Sequence, residues 1–142
     1  MDEKILDFIK NEQLLSWSMI DDSGVYTASA FYVFDEKNLS LIIASHEQTK
    51  HIQLALKNPS VAVNIAKENK IAFLKGIQAK AEFKYANKEQ EKMYFSKFSF
   101  AKFDKKARIY TLDLIWAKLT DNTLGLVKKI EFLKKSLYYL TK

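Results

Sequence analysis

Two hydrophobic periods alternate along this 142-residue chain, and the switches between them mark its elements. Ile5, Leu6, Phe8 and Ile9 recur at helical spacing, so residues 2–11 read as a short amphipathic helix. Leu14–Ile20 is apolar and β-prone. Asp21-Asp22-Ser23-Gly24 makes a turn, and Val25–Phe34 is a second strand. After Asp35-Glu36-Lys37-Asn38 comes a third strand, Leu39–Ala44, which completes an antiparallel meander. Thr49–Lys57 reads as a helix that buries Ile52, Leu54, Ala55 and Leu56. Asn58-Pro59 ends it, because a residue before proline avoids the α region. Val61, Val63 and Ile65 alternate as one face of a strand. Ile71–Phe83 is read as a long strand bulged near Gly76. Lys88–Phe98 is a helix with Met93, Tyr94 and Phe98 inward. Phe100–Lys106 leads to a strand at Arg108–Leu119, and Asp121-Asn122-Thr123 turns into further β-structure from Leu126. Six to eight strands with short hairpin links and three helices predict an α+β fold. The expected form is an antiparallel barrel with helices at its edges, not an alternating α/β sheet.

Composition narrows the classes. The length suits one domain over residues 1–142, and 48% hydrophobic with 28% charged residues is ordinary for a globular chain. No apolar run reaches the roughly 20 residues that cross a bilayer, so no membrane partner is expected. The first residues, MDEKILDFIKNEQ, are acidic and amphipathic, unlike a signal peptide. With zero cysteines, disulfides, thiolate catalysis and Cys-ligated metals are excluded, which fits a cytoplasmic location. The net charge of +6 is uneven. Residues 1–66 carry five basic and nine acidic side chains, and residues 67–142 carry eighteen and eight. A lysine-rich solvated surface and a polyanion-binding face both produce that asymmetry.

Candidate chemistry concentrates in Ser45-His46-Glu47-Gln48-Thr49-Lys50-His51. This polar corner joins an apolar strand to a helix, and the first amides of a helix lack intrahelical acceptors. Ser45 or Thr49 can bond at the helix start, Lys50 brings a fixed cation, and His51 offers a titratable donor. The arrangement suits a phosphate, and an ordinary helix start shares the same spacing. His46 and His51 lie five apart across a bend with no third ligand in view, so no metal site is expected. No Ser-His-Asp order, glycine-rich phosphate loop or carboxylate pair is present, so any chemistry falls to an organic cofactor. Tyr94–Phe103, YFSKFSFAKF, interleaves rings with lysines. Such a run can stack nucleobases, but the helical spacing favours core packing, and nucleic acid is not the expected partner.

The order strand, Thr-Lys-His, helix, Asn-Pro, Val-rich strand resembles the flavin-mononucleotide-binding split barrels related to pyridoxamine 5'-phosphate oxidase. There the equivalent place commonly reads Ser-Arg-Lys, then helix, then Asn-Pro. Thr27–Asp35, TASAFYVFD, and Thr120–Lys129, TDNTLGLVKK, look like the YhbP-like branch of that superfamily. The resemblance implies a split barrel that dimerises, with flavin mononucleotide at the subunit interface and an oxidoreductase activity on a small molecule. Thr49 and Lys50 fall on the phosphate-binding Ser-Arg pair, and His51 on the Lys. Ser45 joins them at the corner. Thr27 and Ser29 fall where the isoalloxazine lies along a strand, with Tyr26 and Phe31 beside them. Trp116, Asn122 and Lys128 are expected from the second subunit. The resemblance also carries departures. The oxidase's substrate-phosphate residues have no counterparts, Lys50 replaces a bidentate Arg, and Gly125-Leu126-Val127 stands where relatives read Gly-Phe-Gly. Haem-binding proteins share the superfamily, with His46, His51 or a tyrosine as the ligand to expect in that case. A cofactor-free binding module, including a nucleic-acid binder, is the remaining alternative.

Overall fold

A computed structural model describes residues 1–124 and 129–134 of the chain. Helix α1 spans Glu3–Asn11, and strands β1 and β2 span Leu14–Asp21 and Gly24–Asp35. Strand β3, Ser40–His46, leads to helix α2, Lys50–Lys57. Strands β4, Ser60–Lys67, and β5, Lys75–Tyr85, precede helix α3, Lys88–Lys97. The long strand β6, Ala107–Asp121, is followed by the short β7, Lys129–Leu133.

The seven strands among the described residues form one antiparallel sheet in the order β3-β2-β1-β4-β5-β6-β7, closed by a further pairing of β3 with β6. Closure splits because β6 has two successive neighbours on one side. Its Ala107–Asp113 half pairs with β3, and its Trp116–Thr120 part pairs with β7. β2 is divided in the same way. Its full length from Gly24 to Phe31 pairs with β1, but β3 joins it only from Tyr32 to Asp35.

Alternation along the strands fills the barrel. Leu15, Trp17 and Met19 of β1, Val61, Val63 and Ile65 of β4, and Ile77, Ala79, Ala81 and Phe83 of β5 all point inward and are buried. β3 is buried on both faces, which explains its unbroken LIIA run. Leu41 and Ile43 face the barrel, while Ile42 packs with Tyr94 and Ile109 beneath α3. Helix α1 covers one mouth with Ile5, Phe8 and Ile9, beside Lys67, Lys75 and Asp121. Helix α2 closes the other with Ile52 and Ala55. An Asn87–Gln90 capping box starts α3, and the Gln90 amide donates to buried Asp35, tying the helix to the β2–β3 turn.

Leu56 of α2, and Phe100 and Phe103 of the aromatic run, are exposed and not in the core as expected, and two further expectations need correction. Ile71–Phe73 is a 3₁₀ turn instead of the start of a strand, and β5 begins at Lys75. Its apolar side chains are exposed, and the Asn122 amide holds the turn by donating to the Ile71 carbonyl. The bulge also lies elsewhere. Gly76 pairs regularly with Ala66 and Thr120, while the register shifts at Lys80/Ala81, where Ile115 of β6 is the extra residue. A bulge bends its strand, and here it falls between the β3-paired and β7-paired parts of β6. The expected inward set on α3 holds: Tyr94 is buried and Met93 and Phe98 pack around it.

Candidate functional site

The β3–α2 corner forms because β3 leaves β2 after Ile43 and follows β6 to His46. The chain then turns sharply into α2. Thr49 is the N-cap residue by backbone conformation, but its side chain does not cap the helix. Its hydroxyl donates instead to the His46 carbonyl at 2.8 Å. Among the described residues, the first-turn amides of α2 therefore have no side-chain acceptor at the helix end, where the helix dipole is positive.

Ser45 and His51 converge on this point, with Ser45 Oγ 2.8 Å from His51 Nε2. Thr49 Oγ1 is 3.3 Å from the same nitrogen. The Thr49 proton goes to the His46 carbonyl, so Thr49 Oγ1 meets the ring only as an acceptor, and Ser45 Oγ and His51 Nε2 share one hydrogen bond whose direction follows the ring tautomer. Below His51, the imidazole and the Trp17 indole pack perpendicular to each other, with ring centres 5.7 Å apart. Burial holds the imidazole below its ordinary value of 6.5. The unfolded chain then takes up this proton more readily than the folded one. The contribution of His51 to stability is intact above about pH 6.5 and is lost as pH falls through that value toward the folded one. Ring-proton titration by NMR is expected to give His51 a midpoint below 6.5 in the free protein and a higher one with phosphate added. A free-protein midpoint at or above 6.5 contradicts this environment.

Lys50 projects to the β1–β2 hairpin. Its Nζ lies 3.1 Å from Asp21 Oδ2 and 4.8 Å above the centre of the Tyr26 ring. Asp21 is thus a built-in competitor for any anion that Lys50 holds. An Asp21→Asn substitution should raise the affinity for a phosphorylated ligand roughly two- to fivefold, the worth of an exposed ion pair, read by ligand titration. Unchanged or weaker binding would separate Lys50 from the site.

Beside the corner runs the open edge of β2. Tyr32 donates its N–H toward β1, to the Gln13 carbonyl, so the backbone groups of the alternating residues Val25, Thr27, Ser29 and Phe31 face the other way. That side has no strand partner before Tyr32 among the described residues. The edge runs about 20 Å from Val25, near Lys50, to Phe31. The Thr27 hydroxyl is engaged, donating to the Trp17 carbonyl at 3.1 Å. Ser29 is exposed, across from Ser16.

Trp116 and Asn122 do not join this group. Trp116 lies far along β6 from Arg108, the partner of Ser45, and its indole N–H approaches Glu131 at 3.4 Å. It belongs to the outer sheet face with Ser16, Ser18, Asn64 and Gln78. Asn122 sits at the α1 end of the barrel, its amide used by the Ile71 carbonyl. Lys128 and the Gly125-Leu126-Val127 segment lie outside the described residues. His46 and His51 do not share a focus, since His46 Nε2 is paired with Asp104. Sequence reasoning overlooked Asp21, Trp17, Asp104 and the Glu47–Tyr85 hydrogen bond of 3.0 Å. All four are contacts across the barrel, and no local spacing announces them.

Comparison with solved structures shows this split-barrel fold in other proteins. A FAD-binding protein of Mesorhizobium loti superposes with a TM-score of 0.71 at 13% identity, covering 82% of this chain and 90% of the other. A heme binding protein of Mycobacterium smegmatis gives 0.72 at 8% identity, over 89% of this chain and 55% of that one. ChuZ of Campylobacter jejuni gives 0.75 at 9% identity, over 94% and 59%. These likenesses define the fold alone. No family model matches the chain. A UPF0306 protein of Campylobacter jejuni is 75% identical over 135 residues, covering 95% of this chain and all of the relative. A Yersinia pestis UPF0306 protein is 32% identical over 130 residues, 88% of each chain. The chain belongs to the UPF0306 family.

Proposed function

We propose that this protein binds flavin mononucleotide as a YhbP-like split barrel and serves as a small-molecule oxidoreductase in the cytoplasm. One observation carries the reading: a helix start without a side-chain cap, flanked by Lys50, opens beside an unpaired strand edge. A phosphate and a ring with hydrogen-bonding heteroatoms need those two features side by side. The residues fit the group. The α2 amides, Thr49 and Lys50 would take the phosphate, with Ser45 and His51 as further donors. The backbone at Thr27 and Ser29 would meet the ring edge. When bound, the flavin supplies hydride transfer, and the protein orients the ring and tunes its electronics.

The same reading takes residues 1–142 as one domain and the working unit as a homodimer. The outer face with Ser16, Ser18, Asn64, Gln78 and Trp116 also carries Lys80, Lys118 and Glu131 around the indole, a mixed polar and aromatic surface that a second copy could cover. Trp116 and Lys128 would then reach the cofactor from the partner. Asn122 fits least well of the set, because its amide already serves the neighbouring turn.

Some proteins of this fold bind haem, and here the histidines argue against it. His46 Nε2 is committed to Asp104 and His51 Nε2 to Ser45. The visible spectrum of the purified protein, before and after adding flavin mononucleotide, tests the choice. Flavin absorbance that stays with the protein through gel filtration supports the proposal. A Soret band, or complete loss of added flavin, overturns it.

A further inference from the structure

The 3₁₀ turn Ser99–Phe103 between α3 and β6 exposes two phenyl rings, with Phe100 70% and Phe103 88% accessible. They do not stand alone. Phe98 lies 6.2 Å from Phe100 and 5.9 Å from Phe31, which makes a continuous apolar ridge. The same stretch of chain is rich in exposed cations: Lys97, Lys102, Lys105, Lys106 and Arg108. Lys97 and Lys102 lay their ammonium groups near the rings of Phe98 and Phe95, at 5.5 and 5.9 Å. Asp104 is the one acidic residue between Lys97 and Arg108, and His46 pairs with it.

We propose that this turn is a docking surface for an anionic lipid bilayer. Such a contact lies on the surface and does not span; the ridge shares Phe31 with the β2 edge of the flavin reading, while Phe100, Phe103 and Lys102 belong to the turn alone. Charge complementarity requires an anionic partner, and the type of cation selects among them. Arg108 uses one guanidinium nitrogen on the carbonyls of Lys105 and Ala107, and the other four cations are lysines. Lysines are point charges suited to a diffuse layer of headgroups, whereas bidentate recognition of a nucleic-acid phosphate or a protein carboxylate favours arginine. The rings stand on a protruding turn. Stacking of bases calls for a groove that tracks a strand, and a protein partner calls for a large complementary face. A bilayer interface accepts exposed phenyl groups without a matching shape.

The test is co-sedimentation of the full chain with vesicles of phosphatidylglycerol and phosphatidylethanolamine, and with neutral phosphatidylcholine vesicles. The protein is expected to bind the anionic vesicles only, and to lose most binding between about 0.05 and 0.5 M salt as the charges are screened. The Phe100→Ser/Phe103→Ser variant should lose about tenfold or more in partitioning, and the Lys97→Glu/Lys102→Glu/Lys105→Glu variant roughly a hundredfold or more. A Phe103→Trp variant provides a second readout, a blue shift in its fluorescence on adding anionic vesicles. Equal binding to neutral vesicles, no sedimentation, or unaffected variants would overturn the proposal. So would ring-dependent binding of a single-stranded oligodeoxythymidine, or ring-dependent self-association in gel filtration.

Discussion

Lys50→Ala is expected to weaken flavin mononucleotide binding roughly ten- to a hundredfold, while Lys37→Ala leaves it unchanged. The range follows from the worth of one charge-assisted hydrogen bond, about 1.5–3 kcal/mol. Both lysines are on the surface, so loss of fold does not complicate the comparison. Lys37 lies in the β2–β3 turn at Asp35–Asn38, away from α2. Lys50 stands at the first position of α2, where its charge adds to the positive end of the helix. Fluorescence quenching of the flavin measures both constants. Equal affinities for the two variants would remove Lys50 from the phosphate site. The Asp21→Asn variant shifts the same constant the other way, and the pair of results assigns the effect to the Lys50 ammonium.

The second large effect concerns stability. Trp17→Ala should lower it by about 3–5 kcal/mol, read by urea denaturation. Trp17 is 1% exposed and stacks on Phe83 at 5.7 Å, and Phe83 stacks in turn on Tyr110 at 5.0 Å. Removing the indole opens a cavity in the middle of the barrel and takes away the floor under His51. Such a loss is a large share of the 5–15 kcal/mol typical of a domain. Trp17→Phe is the informative control. The indole N–H is buried with no hydrogen-bond partner among the described residues, so its removal relieves a desolvation cost while most of the stack survives. Phe should therefore cost far less than Ala. An Ala cost below about 1 kcal/mol would mean that the stack does not support the barrel.

The local elements were legible in the chain because their signals are local. Val61, Val63 and Ile65 alternate cleanly, and Asn58-Pro59 stops α2 where it does stop, at Lys57. The meander of β1, β2 and β3 follows from two short turns. The 3₁₀ turn at Ile71–Phe73 was hidden because its side chains are apolar, and a strand of the same composition would look alike. The bulge was hidden because its extra residue, Ile115, is an ordinary strand former. Closure of the barrel depends on β3 pairing with β6, residues far apart in sequence, and no periodicity encodes that choice.

The corner itself was legible in part. Ser45, Thr49, Lys50 and His51 do gather around one helix start. Their partners were not legible, since Asp21, Tyr26 and Trp17 come from the β1–β2 hairpin across the barrel end. The polarity of the β2 edge was also unavailable from composition. It depends on which alternate residues turn their backbone groups toward β1, and only the register fixes that.

The most direct measurement is the response of the backbone amide resonances to added flavin mononucleotide. The largest shifts are expected at Lys50, His51 and Ile52, the uncapped first turn of α2, with a second set along Val25, Thr27, Ser29 and Phe31. Binding that leaves the first turn of α2 unmoved, with shifts clustered elsewhere on the barrel, would contradict the account.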